Sequence, residues 1–220
     1  MTYALMQTTM EAPSIEALRK AFRSSNMMTA ADAVFAADDA YGILARDLTA
    51  EDAQSIAASL AADGVDVELV AEAELPRLPE PELFVGFQFH EDFLRLLNAM
   101  EEPTDVPYRG IRLVAVGYDQ QAVRLELVFG DATLRYHATL EHLHFRHEPS
   151  MSGRSPGENL VLMLRHLQRR VPSAILNRGA HNIVDGLPVE HVEDFIAYPR
   201  KSAFFEEIVW LLWKARRAAP

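Results

Sequence analysis

The sequence predicts an α+β protein in two parts, and three observations carry the prediction. Before residue 76, helix caps and helical apolar spacing interleave with short strands. A proline-rich acidic run follows at 76–82. Beyond it, apolar runs divided by turn residues read as an antiparallel meander, after which the chain turns helical.

The first part, residues 1–75, is an α/β module. Tyr3 to Thr9 reads as a strand, and Pro13-Ser14 opens a helix in which Ile15, Leu18 and Phe22 recur at helical spacing. Thr29 with Asp32 makes a capping box before an alanine-rich helix reaching about Ala37; a hairpin joining 33–36 to 41–45 competes for the same stretch. The helix is the favoured reading, which makes Tyr41 to Arg46 a strand. Thr49 with Asp52 caps a third helix that carries Ala53, Ile56, Ala57 and Leu60 on one face, with Gly64 placed to stop it. Val65, Val67 and Leu69 alternate with Asp66 and Glu68, the period of a half-buried strand. The module thus runs strand-helix-helix-strand-helix-strand, and its closing strand-helix-strand order predicts a right-handed parallel unit.

Pro76, Pro79 and Pro81 make 76–82 a stiff extended connector, because each proline disfavours helix at the residue before it. In the second part, residues 83–220, Phe84 to Phe89 reads as a strand and Glu91 to Met100 as a helix. Ile111 to Gly117, Ala122 to Phe129 and Ala132 to Phe145 form the meander, with turns at Tyr118-Asp119-Gln120-Gln121 and Gly130-Asp131. Ser155-Pro156-Gly157-Glu158 combines a capping box with proline at the first helical position, and Leu160, Met163, Leu164, Leu167 and Val171 follow as one buried stripe. Ser202 to Arg217 closes the chain as a helix apolar nearly all round, with Glu206 and Glu207 early and Lys214, Arg216 and Arg217 late, as the helix dipole favours.

Composition excludes more than it assigns. With 49% hydrophobic and 24% charged residues in 220, the chain is an ordinary globular one. No apolar run nears the roughly 20 residues of a membrane span, and Met1 to Glu11 lacks the layout of a signal peptide, so a cytoplasmic setting without membrane contact is expected. Zero cysteines remove disulfides, thiolate nucleophiles and cysteine zinc sites. Lys20, Lys201 and Lys214 are the only lysines among 21 basic residues, an arginine bias typical of GC-rich bacterial coding. Residues 1–105 hold 20 acidic against 6 basic side chains, net −14, whereas 106–220 hold 12 against 15, net +3. The first half repels nucleic acid and anionic lipid, and the second attracts the first.

Two clusters are chemical candidates. His142 and His144 sit two apart within a group that also holds His137 and His147; on a strand they share one face, as in metal sites that take two imidazoles. The competing reading is a solvent-facing sheet edge. Arg165, His166, Arg169 and Arg170 form the polar side of the capped helix, with Arg178 following, and their guanidinium forks match carboxylate or phosphate. The competing reading there is a solvated face paired with the acidic half. No phosphate loop, dinucleotide fingerprint, nucleophile elbow or His-Glu-x-x-His is present, and the carboxylate pairs Asp38-Asp39, Glu101-Glu102 and Glu206-Glu207 point apart.

Around Asn177-Arg178-Gly179-Ala180 and from Tyr198-Pro199 to Trp213 the chain resembles uncharacterised bacterial two-part proteins with an N-terminal ferredoxin-like α/β module; the resemblance implies no activity and carries over no site residue. The leading expectation is a non-catalytic cytoplasmic binding or regulatory protein without cofactor, taking a protein partner or a small anionic ligand in a groove between its parts. The alternatives are a histidine-dependent metal hydrolase or oxygenase built on His142 and His144, and a structural subunit of a homo-oligomer that buries the last helix.

Overall fold

A computed structural model describes residues 1–11, 13–23, 25, 29–38 and 42–218, the side chains of 30, 35 and 38 excepted. The fold is α+β, and the chain divides into two compact units.

The first unit joins Met1–Pro76 to Pro199–Pro220. Its elements are β1 (Tyr3–Gln7), α1 (Ile15–Phe22), α2 (Ala30–Asp38), β2 (Ile43–Leu48), α3 (Ala50–Ala62) and β3 (Val67–Ala71). Local chemistry sets the helix starts: the Ser14 hydroxyl accepts from Ala17 N at 3.1 Å and the Thr49 hydroxyl from Asp52 N at 3.1 Å. The stretch after Thr29 is the helix α2 rather than a hairpin; Tyr41, expected to open β2, and Asp39 lie outside the described residues. The sheet order is β2-β1-β3 with both pairings antiparallel. The parallel unit expected from the strand-helix-strand order is therefore split, since β2 and β3 run the same way with β1 inserted between them. Leu5, Leu18, Phe22, Leu48, Ile56 and Leu60 form the core.

The second unit is Arg77–Tyr198. It contains β4 (Glu82–Leu83), β5 (Gly86–Phe89), β6 (Phe93–Leu97), β7 (Pro103–Pro107), β8 (Ile111–Tyr118), β9 (Val123–Phe129), β10 (Leu134–Thr139), α4 (Pro156–Arg170), β11 (Ile175–Leu176) and α5 (Arg178–Val184). One sheet runs β11-β8-β9-β10-β4, an antiparallel meander with a two-residue parallel strand on each edge. The other is the antiparallel β5-β6-β7. The residues expected as a helix at 91–100 form a bend and β6, because pairing on both sides supplies the backbone bonds that a helix would otherwise make. Arg95 and Asp105 face each other across that ladder in a two-pronged ion pair, Nε–Oδ1 2.6 Å and Nη2–Oδ2 2.9 Å.

The last helix, α6 (Lys201–Ala218), corrects the expected boundary: it belongs to the first unit, not to a continuous second part at 83–220. The Trp210 indole donates to the Gln7 carbonyl at 2.7 Å, the Lys214 ammonium donates to the Thr8 carbonyl at 2.8 Å, and Arg217 pairs with Glu68. Gly42, at φ +100°, lies against the indole so closely that a Cβ there would stand 2.3 Å from Trp210 Cγ. Phe204, Ile208, Val209, Trp210, Leu212 and Trp213 are buried within the chain. Among the described residues, no helix is long and apolar enough to cross a membrane.

Candidate functional site

Helix α4 carries most of the cationic candidates. Ser155 and Glu158 close a reciprocal capping box, and the helical period then directs Leu160, Met163, Leu164 and Leu167 into the core. Arg165 and Arg169 are left in solvent, where Arg169 Nε donates to the Arg165 carbonyl at 3.3 Å, so the two do not converge on a site. His166 and Arg170 stand three and seven residues beyond Met163, at the border of the buried stripe, and turn towards the small sheet instead. Arg178 opens α5, half-buried and outside this group.

His166 stacks on Phe89 of β5 with ring centres 3.7 Å apart and planes at 9°. Its Nε2 lies 3.3 Å from the hydroxyl of Tyr108, which sits in the short turn joining β7 to β8. The Arg170 guanidinium lies over the Tyr108 ring, 5.9 Å from its centre. Glu148 braces the group from behind, accepting from Phe89 N at 3.0 Å and from the Ser150 hydroxyl at 2.7 Å.

Burial pushes the Tyr108 phenol up to about 12, with Arg170 opposing the rise and Glu148 adding to it. Burial, then the charges of Arg170 and Arg169, holds the His166 imidazole below its ordinary value against the pull of Glu148. Both rings are therefore neutral at pH 7. The Tyr108 hydroxyl and His166 Nε2 share one hydrogen bond, whose direction the imidazole tautomer sets.

This pair underlies a cleft of about 690 Å³. Tyr108 and Phe93 give it aromatic surface, Arg109 and Arg170 line it with positive charge, and Glu91 and Asp92 with negative. Of these six, the sequence reading named only Arg170 as a site residue. Position 166 on the edge of an apolar stripe was the available signal that His166 does not belong with the solvated arginines; nothing local marks Tyr108, Arg109, Glu91 or Asp92, which reach the cleft through pairing of β6 with β7.

The histidines at 142 and 144 are not on a strand. β10 stops at Thr139 because its partner β9 begins at Val123, whose carbonyl already accepts from Leu140 N at 2.9 Å. Both side chains are exposed. His142 Nδ1 lies 2.8 Å from the Thr139 hydroxyl, whereas His144 lines a different cavity of about 650 Å³ with His191, Tyr118 and Phe195. Among the described residues, no three His, Asp or Glu side chains are grouped to hold a metal ion.

The segment behind the resemblance is a clamp. The Asn177 side chain caps α5 by accepting from Ala180 N at 2.9 Å, accepts from Val116 N at 2.9 Å, and donates to the Val116 carbonyl at 3.0 Å and the Tyr198 hydroxyl at 3.1 Å. Gly179 lets α5 approach β8, since a Cβ there would stand 2.0 Å from the Val116 oxygen. No protein-family model, curated protein or solved structure matches the chain.

Proposed function

We propose that the protein is a non-catalytic binding protein whose second unit takes a small ligand, through an anionic group, in the cleft over Tyr108. The observation that carries this reading is the pair Arg109 and Arg170. Both line the cleft, and neither forms an ion pair with Glu91 or Asp92 across it. Guanidinium forks match carboxylate or phosphate geometry, and the cleft volume falls within the roughly 300–1,000 Å³ of small-molecule sites. The floor is set in advance, because His166 holds the Tyr108 hydroxyl while Phe89 holds His166. Binding is favoured over catalysis because the Tyr108 hydroxyl is already engaged with His166 Nε2, and a phenol at about 12 is no base at neutral pH.

Titration of isotope-labelled protein with small carboxylates and inorganic phosphate, followed by amide NMR, tests the reading. The expected result is that one of these anions shifts residues 89–93, 107–110 and 170–173, and that Arg170→Ala weakens it about tenfold, or about 1.4 kcal/mol, with the thermal melt unchanged. Shifts confined to other regions, or indifference to Arg170→Ala, would overturn it.

A further inference from the structure

We infer that the ligand of the Tyr108 cleft is a small zwitterion, a free amino acid or similar amino carboxylate, with its carboxylate on Arg109 and Arg170 and its ammonium on Glu91 and Asp92. The inference rests on the reading of the cleft as a site for an anionic group and adds the second charge. Two positive and two negative side chains line one cleft without joining in an ion pair. Elsewhere in the unit, opposite charges that face each other do close, as Arg95 does with Asp105 and Arg124 with Asp119. Residues of both signs adjoin Tyr108. Asp92 is joined to Tyr108 through its carbonyl, which accepts from Tyr108 N at 3.3 Å; Arg109 is the next residue; and Arg170 lies over the ring itself.

Charge balance then selects the ligand. A pure anion attracted by Arg109 and Arg170 is repelled by Glu91 and Asp92, and a pure cation meets the converse, so either leaves one pair of charges facing a like charge. A neutral molecule carrying both groups a few ångströms apart satisfies all four. Phe93 and the Tyr108 ring supply apolar surface for the rest of it.

The test compares glycine, leucine, glutamate and lysine as free amino acids, each beside its N-acetyl derivative and its C-terminal amide, by amide NMR and calorimetry on the full chain. The expected result is that at least one free amino acid binds at residues 89–93, 107–110 and 170–173 and that both blocked forms bind at least tenfold more weakly. Glu91→Gln with Asp92→Asn, both exposed positions, should weaken the free amino acid and tighten the N-acetyl form, with an unchanged melt showing that the fold is intact. If an N-acetyl form binds as tightly as its parent, the zwitterion inference fails and the anionic reading stands. If an amide binds as tightly as its parent, both fail; if neither free nor N-acetylated forms bind at the cleft, the zwitterion inference fails and the phosphate titration decides the anionic reading.

Discussion

Asn177 is buried with no exposed surface and satisfies three groups outside its own helix cap. Removing its side chain strands the Val116 amide and the Val116 carbonyl, and each buried polar group left without a partner costs about 1–3 kcal/mol. Asn177→Ala should therefore lower the stability of the second unit by roughly 2 kcal/mol or more, read as a fall in the urea midpoint of that unit's amide signals. A loss no larger than that of an ordinary cap, about 1 kcal/mol, would show that water replaces the lost partners. The segment was legible as a turn into a helix, and its arginine drew attention as a ligand; what local sequence does not encode is that the asparagine reaches a strand 61 residues away. His166 carries the second prediction at this scale. Its folded pKa lies below the unfolded value of about 6.5, so protonation favours the unfolded chain. Stability from this group is complete above that value and is lost as pH falls through it. Melts of the second unit from pH 8 to 5 should decline more steeply in the wild type than in His166→Gln, and parallel curves would remove the assignment.

At the level of elements, the features written in short-range chemistry were legible. The starts of α1, α3 and α4 follow hydroxyl caps that the sequence displays, and the stripe of α4 is buried as its spacing requires. Leu164→Ala should cost about 2–5 kcal/mol, since the side chain is fully buried, whereas Arg169→Ala on the solvent face should stay within about 0.5 kcal/mol. Equal urea midpoints for the two variants would mean that the stripe is misplaced. The elements that local chemistry does not decide were misread. Phe93 to Leu97 is a five-residue stretch, apolar but for Arg95 at its centre and too short for periodicity to separate helix from strand, and only the ladders to β5 and β7 settle it. The length of β10 likewise depends on where β9 begins, which is why His142 and His144 fell off the strand. The cleft inherits this blindness: Glu91 and Asp92, read as the start of a helix, sit in the bend that β6 pairing creates.

For the whole molecule, the decisive fact is that the first unit is built from both ends of the chain, with residues 7 and 210 joined by an indole hydrogen bond. No linear signal announces such a return, and the proline-rich run marks only one of the two crossings between units. The consequence is a specific response to truncation. A chain ending at Tyr198 loses α6, and with it the indole that fills the space beside Gly42 and the cations that hold Thr8 and Glu68. The first unit should then lose its cooperative transition, while Arg77–Tyr198, which retains its own core and the Asn177 clamp, keeps its amide dispersion and its melt. Trp210→Ala should act the same way more mildly, lowering the first unit by about 3–5 kcal/mol, the range for emptying a large aromatic site. The readout is built in. Both tryptophans of the chain, Trp210 and Trp213, lie on α6, so indole fluorescence follows the first unit, whereas tyrosine and amide signals from β8 to β10 follow the second. In the intact protein, urea curves from the two probes should separate if the units unfold independently, because coincident transitions are the mark of a single cooperative fold. A truncated chain in which the amide signals of β1 to β3 survive with an undiminished midpoint would show that α6 is dispensable, and a truncated chain in which the signals of β8 to β10 collapse as well would show that the two units fold as one.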